Sequence, residues 1–445
     1  MIGLASRTRS DDGKSLQKLT TVLTRRIVEA VDLSKVPDID SEDLRKQVEA
    51  LATQVCASDS VRLPAEMRET MVGEILAEIY GFGPLETLMN DPQVSDVLVN
   101  GPDSVCVERN GVLEETEIHF ADEAHLRQLI DRLVRRAGRR ISERSPVVEA
   151  QLPDGSLLNV VLTPPAVRGP MLSLRPGGPK RVGLEDVLRR GSLAPEMINF
   201  LAAAVRGRLN LLISGATGAG KTTLLGGLAR LIPESERIVT IERTAELRLE
   251  RSDVVSLEAR SVGGPGQLPV TLREILRSGL RMRPDRLVVG EVRGSETIDL
   301  LQAMSGGHPG SMLTVNAIST RDALERIELL TATGDVRPSS GLYHQIASAF
   351  QLLIHVARLP SGERKVVRIS ELCGYFEGSY VIEDIFVYRA AGTDEQGRAQ
   401  GLFYSTGYEP LCLPQLATLG HALDSESFAP KELSIASQTP ALIQN

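Results

Sequence analysis

The spacing of hydrophobic residues changes along the chain and separates its first half into two regions. Apolar residues three and four positions apart predict helices over Leu16–Ala52 and Ala65–Tyr80. From Gly81 onward, short apolar stretches such as VSDVLVNG alternate with glycine and asparagine turns. One helical stretch, Glu123–Ala137, interrupts them. The pattern predicts a helical segment followed by an α+β domain.

A stretch rich in proline, glycine and charge, RPGGPKR at Arg175–Arg181, is typical of a linker and precedes a different pattern. Apolar strands then alternate with helical stretches, which predicts a parallel sheet covered by helices on both faces. Near the C-terminus the pattern favours a meander of strands. The predicted divisions are a disordered start (1–15), a helical N-terminal segment (16–80), an α+β domain (81–176), a linker (177–190) and an α/β domain with C-terminal strands (191–445).

Composition limits the class of protein and its compartment. The 445 residues leave room for two or three domains, and 42% hydrophobic residues are ordinary for a globular protein. The four cysteines form no CxxC pair, so neither a disulfide framework nor a zinc site is indicated and a cytoplasmic location fits. No apolar run reaches the roughly 18 residues of a membrane helix.

Net charge argues against a nucleic-acid-binding protein. The formal charge is −8 and aromatic residues make up 3%, so the chain offers little for binding single strands. Arginine is nevertheless dense over Asp131–Arg144. This run is interpreted either as a solvated helix face or as a functional basic patch, and the sequence leaves both open.

The strongest motif follows the predicted strand LNLLIS and precedes a predicted helix. It reads GATGAGKTT and fits the phosphate loop pattern GxxxxGK[ST]. Glycines allow backbone N–H groups to approach phosphate oxygens, the lysine supplies charge and the hydroxyl of Thr222 can reach Mg²⁺. The motif predicts binding of ATP and Mg²⁺ through Gly215, Ala216, Thr217, Gly218, Ala219, Gly220, Lys221, Thr222 and Thr223.

Two acids end predicted strands, where α/β sheets bind ligands. Glu291 ends DRLVVGE, and Glu242 ends RIVTIE. Because Mg²⁺ keeps several of its waters, Glu291 can act on the metal through one of them; polarising the attacking water is the other assignment. Glu242 is the second candidate acid.

Several motifs together resemble the type II/IV secretion ATPase family, in its Tad/Flp pilus branch of CpaF-like ATPases. The resemblance rests on GFGPLETLMNDPQVSDVLVNGPDSVCVERNG, GATGAGKTT, LRMRPDRLVVGEVRGSETIDLLQAMSGGHPGS and RDALERIELL, which occur in the family order. It implies an α/β fold class: a RecA-like P-loop NTPase C-terminal domain with a smaller α+β (PAS-like) N-terminal domain, preceded by a helical segment.

The resemblance also implies an activity and partners. Such proteins are ATPases that form rings, here expected to be hexamers of the same chain. They lie in the cytoplasm against the inner membrane, where they push on platform proteins that assemble a pilus or move substrates. By position in the motifs, the resemblance assigns Glu291 and Glu242 as catalytic acids, His308 as a γ-phosphate sensor and Arg175 as an arginine that reaches the nucleotide.

This chain departs from the family pattern at the hydrolytic side of the site. Arg243 stands where the family has an acid, Asn316 replaces a histidine, and Gln151 and Leu157 replace arginines. Arg243 is expected either to pair with Glu242 and lower its pKa, or to face away from it. Arg144 and Arg168 are possible substitutes for the arginine that Leu157 replaces.

These observations leave three functions open. The first is a motor enzyme, and the second is a divergent paralogue that binds ATP as a scaffold or regulator and hydrolyses it weakly. The third is a DNA-handling RecA-like helicase, which the charge and the scarcity of aromatic residues disfavour.

Overall fold

The fold is taken from a computed structural model of the chain. It describes residues 65–109, 112–177, 184–260, 268–332, 340–394 and 399–434, together with a few positions between 46 and 54. The predicted disordered start and most of the predicted helical segment therefore lie outside the described residues. The chain divides into two compact units between residues 178 and 179.

The first unit is an α+β structure with one antiparallel sheet, whose strand order is β3-β2-β1-β6-β5-β4. Its strands are β1 (Val94–Val99), β2 (Val105–Arg109), β3 (Val112–Glu115), β4 (Val147–Gln151), β5 (Leu157–Val161) and β6 (Met171–Arg175). Its helices are α1 (Ala65–Tyr80), α2 (Glu86–Met89) and α3 (Glu123–Arg136). Alternate residues of the central strands, such as Val97 and Val99, enter a core that α3 covers.

Two arginines of the dense basic run have structural partners. Arg132 donates to the carbonyl of Gly81 at 3.1 Å, and Arg136 donates to that of Tyr80 at 2.6 Å. Both carbonyls lie at the end of α1, where a helix leaves acceptors without internal donors. Burial lowers the pKa of Arg132 to about 10. These two arginines therefore join α3 to α1 and are not part of an exposed basic patch.

The second unit contains a ten-stranded sheet with helices on its faces. The sheet order is β16-β15-β14-β13-β12-β7-β11-β10-β8-β9, parallel from β9 to β12 and antiparallel beyond. The strands are β7 (Leu211–Gly215), β8 (Ile238–Glu242), β9 (Val254–Glu258), β10 (Arg286–Glu291), β11 (Met312–Asn316), β12 (Leu352–Arg358), β13 (Arg364–Phe376), β14 (Ser379–Thr393), β15 (Ala399–Ser405) and β16 (Lys431–Leu433). The described helices are α4 (Leu184–Arg189), α5 (Pro195–Arg206), α6 (Lys221–Ala229), α7 (Leu272–Leu280), α8 (Glu296–Gly306), α9 (Thr320–Ala332), α10 (Ser340–Ala349) and α11 (Leu413–Thr418).

The central parallel strands are buried on both faces. In β7, Leu211 and Ile213 enter the core on one face and Leu212 enters the core on the other. This explains why the strand reads as a continuous apolar run without alternation. Helix α4 lies where the sequence predicted the second half of a linker. Among the described helices, none is both long and apolar enough to cross a lipid bilayer.

Candidate nucleotide site

The phosphate loop connects β7 to α6, and two of its glycines are required by the backbone. A side chain at Gly215 would place its Cβ 2.3 Å from the carbonyl oxygen of Val356, because β12 runs directly beside this strand end. Gly220, the residue before α6, has a φ of 99°, which favours glycine. The loop thus brings backbone amides to the N-terminus of α6, an arrangement that binds anions.

Lys221 is buried beneath this loop and has three acceptors for its three N–H groups. Its Nζ donates to the carbonyls of Gly215 and Ala216, both at 3.0 Å, and to Oδ1 of Asn316. Burial lowers the pKa of the Lys221 ammonium, and the negative charge of Glu291 opposes this decrease. The lysine charge is therefore held in place beside the loop.

Asn316 joins the lysine to the acid that ends β10. Its Nδ2 donates to Oε1 of Glu291 at 2.6 Å while its Oδ1 accepts from Lys221. The three residues meet because β11 lies between β7 and β10 in the parallel sheet. Arg293 donates to the same Oε1 through Nε at 2.5 Å. An ammonium, an amide, a carboxylate and a guanidinium thus form one hydrogen-bonded series.

The backbone around Glu291 is shaped to present this carboxylate. The pairing of β10 with β11 shifts register between Val289 and Glu291, and such a bulge redirects a side chain. Beyond the strand, Oε1 of Glu296 accepts from the backbone N–H of Arg293 at 2.8 Å and of Gly294 at 2.9 Å. Glu296 therefore fixes the turn that carries Arg293, a role that the sequence analysis did not assign.

Glu242 lies on the neighbouring strand β8 and packs against the backbone of Gly290, where an added Cβ would lie 3.2 Å from its Cγ. Its Oε1 accepts from the backbone N–H groups of Glu246 and Leu247, at 3.0 and 3.1 Å. Burial raises the pKa of Glu242 to about 7, against the opposing effect of these two amides. A carboxyl with such a pKa can exchange a proton near neutral pH.

Arg243 does not lower the pKa of this acid. The side chain of Arg243 is exposed at the end of the strand, whereas Glu242 is buried. Successive residues at a strand end point in opposite directions, which explains the separation. Of the two interpretations offered for Arg243, the structure favours the one in which it faces away.

The raised pKa of Glu242 predicts a specific pH dependence of stability. The folded chain holds this proton up to about pH 7, whereas an unfolded chain releases it near its ordinary value of 4.5. The Glu242 contribution to the free energy of unfolding should therefore fall as pH rises between these values, and stay level above them. Relative to that of the wild type, the free energy of unfolding of Glu242→Gln should therefore rise by up to about 3 kcal/mol as pH increases across this window, at 1.36 kcal/mol per pKa unit.

The measurement is denaturant unfolding of wild type and Glu242→Gln between pH 4.5 and 8, with Glu234→Gln as the control because Glu234 is exposed. A difference between Glu242→Gln and wild type that does not change with pH would show that the carboxyl titrates at an ordinary pKa in the folded chain.

The structure brings some predicted residues together and separates others. Glu242 and Glu291 lie at the carboxyl ends of β8 and β10, and Lys221 opens α6, with Thr222 half-buried in the first turn of that helix. His308 instead precedes β11, near Gly310, whose carbonyl accepts from Arg286 at the start of β10. Because a strand rises about 3.3 Å per residue, the five residues of β11 separate the two edges by about 13 Å. His308 thus lies at the edge of the sheet opposite to Lys221, Asn316 and Glu291.

Arg175 belongs to the first unit, where it lies in one row with Gln151 and Leu157, two residues that depart from the family pattern. The cross-strand partners across β4, β5 and β6 are Gln151 with Leu157 and Leu157 with Arg175. Directly paired residues share one face of a sheet, so these three side chains form one row. Arg175 is the one guanidinium in that row, half-exposed, with its Nε donating to Asp96 at 3.1 Å.

A parallel α/β sheet, a glycine loop at a helix N-terminus and acids at the strand ends define a RecA-like P-loop nucleotide-binding protein. Residues 78–402 match the family described as Type II/IV secretion system protein, and the chain belongs to that family. It is 41% identical over 301 residues to a putative conjugal transfer protein of Mycobacterium tuberculosis, a match that covers 66% of this chain and 85% of that protein.

The chain is also similar to two further proteins. The Type IV secretion system protein VirB11 of Brucella abortus is 33% identical over 272 residues, covering 56% of this chain and 75% of that protein. The solved structure of the Legionella pneumophila ATPase DotB is 21% identical, with 67% of this chain and 81% of that chain covered at a TM-score of 0.46.

Proposed function

We propose that this protein is an ATP-hydrolysing motor that powers pilus assembly or secretion across the bacterial inner membrane. The observation that carries the proposal is the hydrogen-bonded link from Lys221 through Asn316 to Glu291, beside the phosphate loop. The link joins a lysine beside the loop to an acid, and phosphoryl transfer to water would use both charges. Family membership supports the same conclusion.

The residues fit ATP with Mg²⁺. The loop amides and Lys221 bind phosphate oxygens, and the positive end of α6 adds to the attraction. The hydroxyl of Thr222 and the carboxylate of Glu291, acting through a metal-bound water, are the oxygen donors that a hard cation prefers. Bound Mg²⁺ supplies neutralisation of the charge that develops on the phosphates. Polarising the attacking water remains the other role for Glu291, with Glu242 as auxiliary acid.

The cellular role is proposed from the family and from the motifs of the Tad/Flp, CpaF-like branch. The chain would work as a ring, expected to be a hexamer, on the cytoplasmic side of the inner membrane and against platform proteins there. The relative named for conjugal transfer and the relative named for type IV secretion support a transport role. Arg175 is proposed to contribute charge to the nucleotide. His308 lies at the edge of the sheet opposite to Lys221, so we do not propose it as a γ-phosphate sensor.

A second function, an ATP-binding scaffold or regulator with weak hydrolysis, is favoured by one observation. Leu157 stands beside Arg175 in the row across β4, β5 and β6, where the family has a second arginine. An arginine that stabilises the transition state is worth about 10³ to 10⁵ in rate in GTPases. Against this function, Asn316 links Lys221 to Glu291, and Glu242 is buried against Gly290.

The test is phosphate release and ATP binding measured on the same samples of purified wild-type protein, with Mg²⁺ and with EDTA. We expect binding together with Mg²⁺-dependent release. Binding without release, also in the presence of inner-membrane vesicles from the source cell, would replace the motor by the scaffold. The absence of both would refute both functions.

A further inference from the structure

The hairpin formed by β12 and β13 lies against the phosphate loop, far from it in sequence. Strand β12 pairs in parallel with β7, so its last residues reach the place where β7 ends and the loop begins. Arg358 and Arg364 are the cross-strand pair that closes the hairpin. The turn between them is held by two backbone bonds of 2.8 Å, from Leu359 to Glu363 and from Gly362 to Leu359. The hairpin thereby holds two arginines beside the loop.

Arg364 contacts the loop directly. Its Nε donates to the carbonyl oxygen of Gly218 at 2.9 Å, across 146 positions of sequence. Its side chain also packs on Gly220, where an added Cβ would lie 3.1 Å from Cδ of Arg364. Arg358 lies slightly farther away, with Nη1 3.9 Å from the place of a Cβ on Gly218. Arg364 is therefore the closer of the two to the loop backbone.

The bond to Gly218 fixes the orientation of one peptide group of the loop. A trans peptide is planar and carries its C=O and N–H on opposite sides. Because Arg364 holds the carbonyl of Gly218 outward, the N–H of Ala219 points to the inner side of the turn, where it donates to Ala216 at 3.2 Å. An inward N–H is what a phosphate-binding loop needs. Glycine at 218, with a φ of 77°, would otherwise allow this peptide to rotate.

We propose that Arg364 is a positioning residue of the nucleotide site, and that the β12–β13 hairpin is a part of that site. Arg364 holds the loop in the conformation that accepts phosphate and adds a permanent positive charge next to it. This inference rests on the proposed nucleotide binding and names a further residue of that same site.

If Arg364 positions the loop, its removal should weaken nucleotide binding without slowing hydrolysis of the bound ATP. Arg364→Ala should raise the Kd of ATP and of ADP by about tenfold, since a hydrogen bond from a charged group and its charge are both lost. KM should rise in the same proportion while kcat changes little, because Arg364 acts on substrate and transition state alike. Arg364→Lys restores one charged donor and should recover most of the affinity.

The experiment measures ATP and ADP affinity, kcat, KM and thermal unfolding for the full-length wild type, Arg364→Ala and Arg364→Lys. The matched control is Arg368→Ala on the same strand, whose side chain is half-exposed and paired with Asp384. A wild-type Kd in Arg364→Ala overturns the role, as does a weakened Arg364→Lys that unfolds at the wild-type temperature. If the wild type binds but does not hydrolyse ATP, the motor fails and the Kd comparison still decides on Arg364. If it binds no nucleotide, both proposals fall.

Discussion

Lys221→Ala is expected to weaken ATP binding by about 10- to 100-fold, because a hydrogen bond to a charged group contributes about 1.5 to 3 kcal/mol. Turnover should fall further, by at least about 10², since the lysine charge also faces the negative charge that develops on the phosphates. The contacts of Lys221 support the size of this effect. Its ammonium is buried and held by two carbonyls and by Asn316, so the substitution removes three hydrogen bonds together with the charge.

Isothermal titration with ATP and a phosphate-release assay would measure the two effects of Lys221→Ala separately. The matched control is Lys431→Ala, an exposed lysine at the start of β16 in the same unit. Thermal unfolding of each variant is needed because removal of Lys221 leaves Oδ1 of Asn316 and two buried carbonyls without this donor. Near-wild-type turnover in a folded Lys221→Ala protein would exclude the phosphate loop as the site of hydrolysis.

Much of the candidate nucleotide site was predictable because its signals are local. The glycine loop, the lysine and the helix that follows are contiguous in sequence, and Glu242 and Glu291 each come directly after a buried apolar run. Parallel strands bring their carboxyl ends to one edge of the sheet, so the two acids were expected near the loop. The structure shows Glu242 against Gly290, the neighbour of Glu291.

Asn316 shows why the identity of a residue alone does not predict its role in the site. It ends the apolar run MLTVN just as the acids end theirs, yet in the sequence it stands out only as a departure from the family histidine. An amide carries both a donor and an acceptor. That is the combination required between the ammonium of Lys221 and the carboxylate of Glu291. At this departure from the family pattern, Asn316 therefore links the two charged groups.

The positions of two other residues could not be predicted from local sequence patterns. Arg364 reaches the loop only because β12 pairs with β7, a contact between strands more than a hundred residues apart. His308 lies close to Asn316 in sequence, but β11 runs between them and carries them to opposite edges of the sheet. Strand pairing and strand length decide both placements, and neither is visible in a single motif.

Glu291→Gln is expected to lower kcat by about 10² to 10⁴, the range for a side chain that moves or orients a proton in the transition state. The substitution keeps the shape of the side chain and removes its charge. Both roles considered for Glu291, polarising the attacking water and holding the metal through a water, depend on its negative charge. ATP binding should change much less, because the loop and Lys221 make the contacts expected with the phosphates.

The hydrogen-bonded series that joins Arg293, Glu291, Asn316 and Lys221 allows a more specific test. Glutamine at 291 can still accept from Nδ2 of Asn316 but no longer offers a negative charge to Arg293 or Lys221. A paired variant, Asn316→Ala, keeps the carboxylate and breaks the link. If the link positions Glu291, Asn316→Ala should lower kcat more than it raises the Kd of ATP.

The decisive comparison is single-turnover hydrolysis by wild type, Glu291→Gln and Glu325→Gln, with ATP affinity measured alongside. Glu325 is an exposed acid on α9 and serves as the charge-matched control. A Glu291→Gln protein that binds ATP and does not hydrolyse it would identify the strand-end acid as part of the hydrolytic machinery. Equal hydrolysis in wild type and Glu291→Gln would move that role to Glu242, whose pKa of about 7 makes it the remaining candidate to exchange a proton at neutral pH.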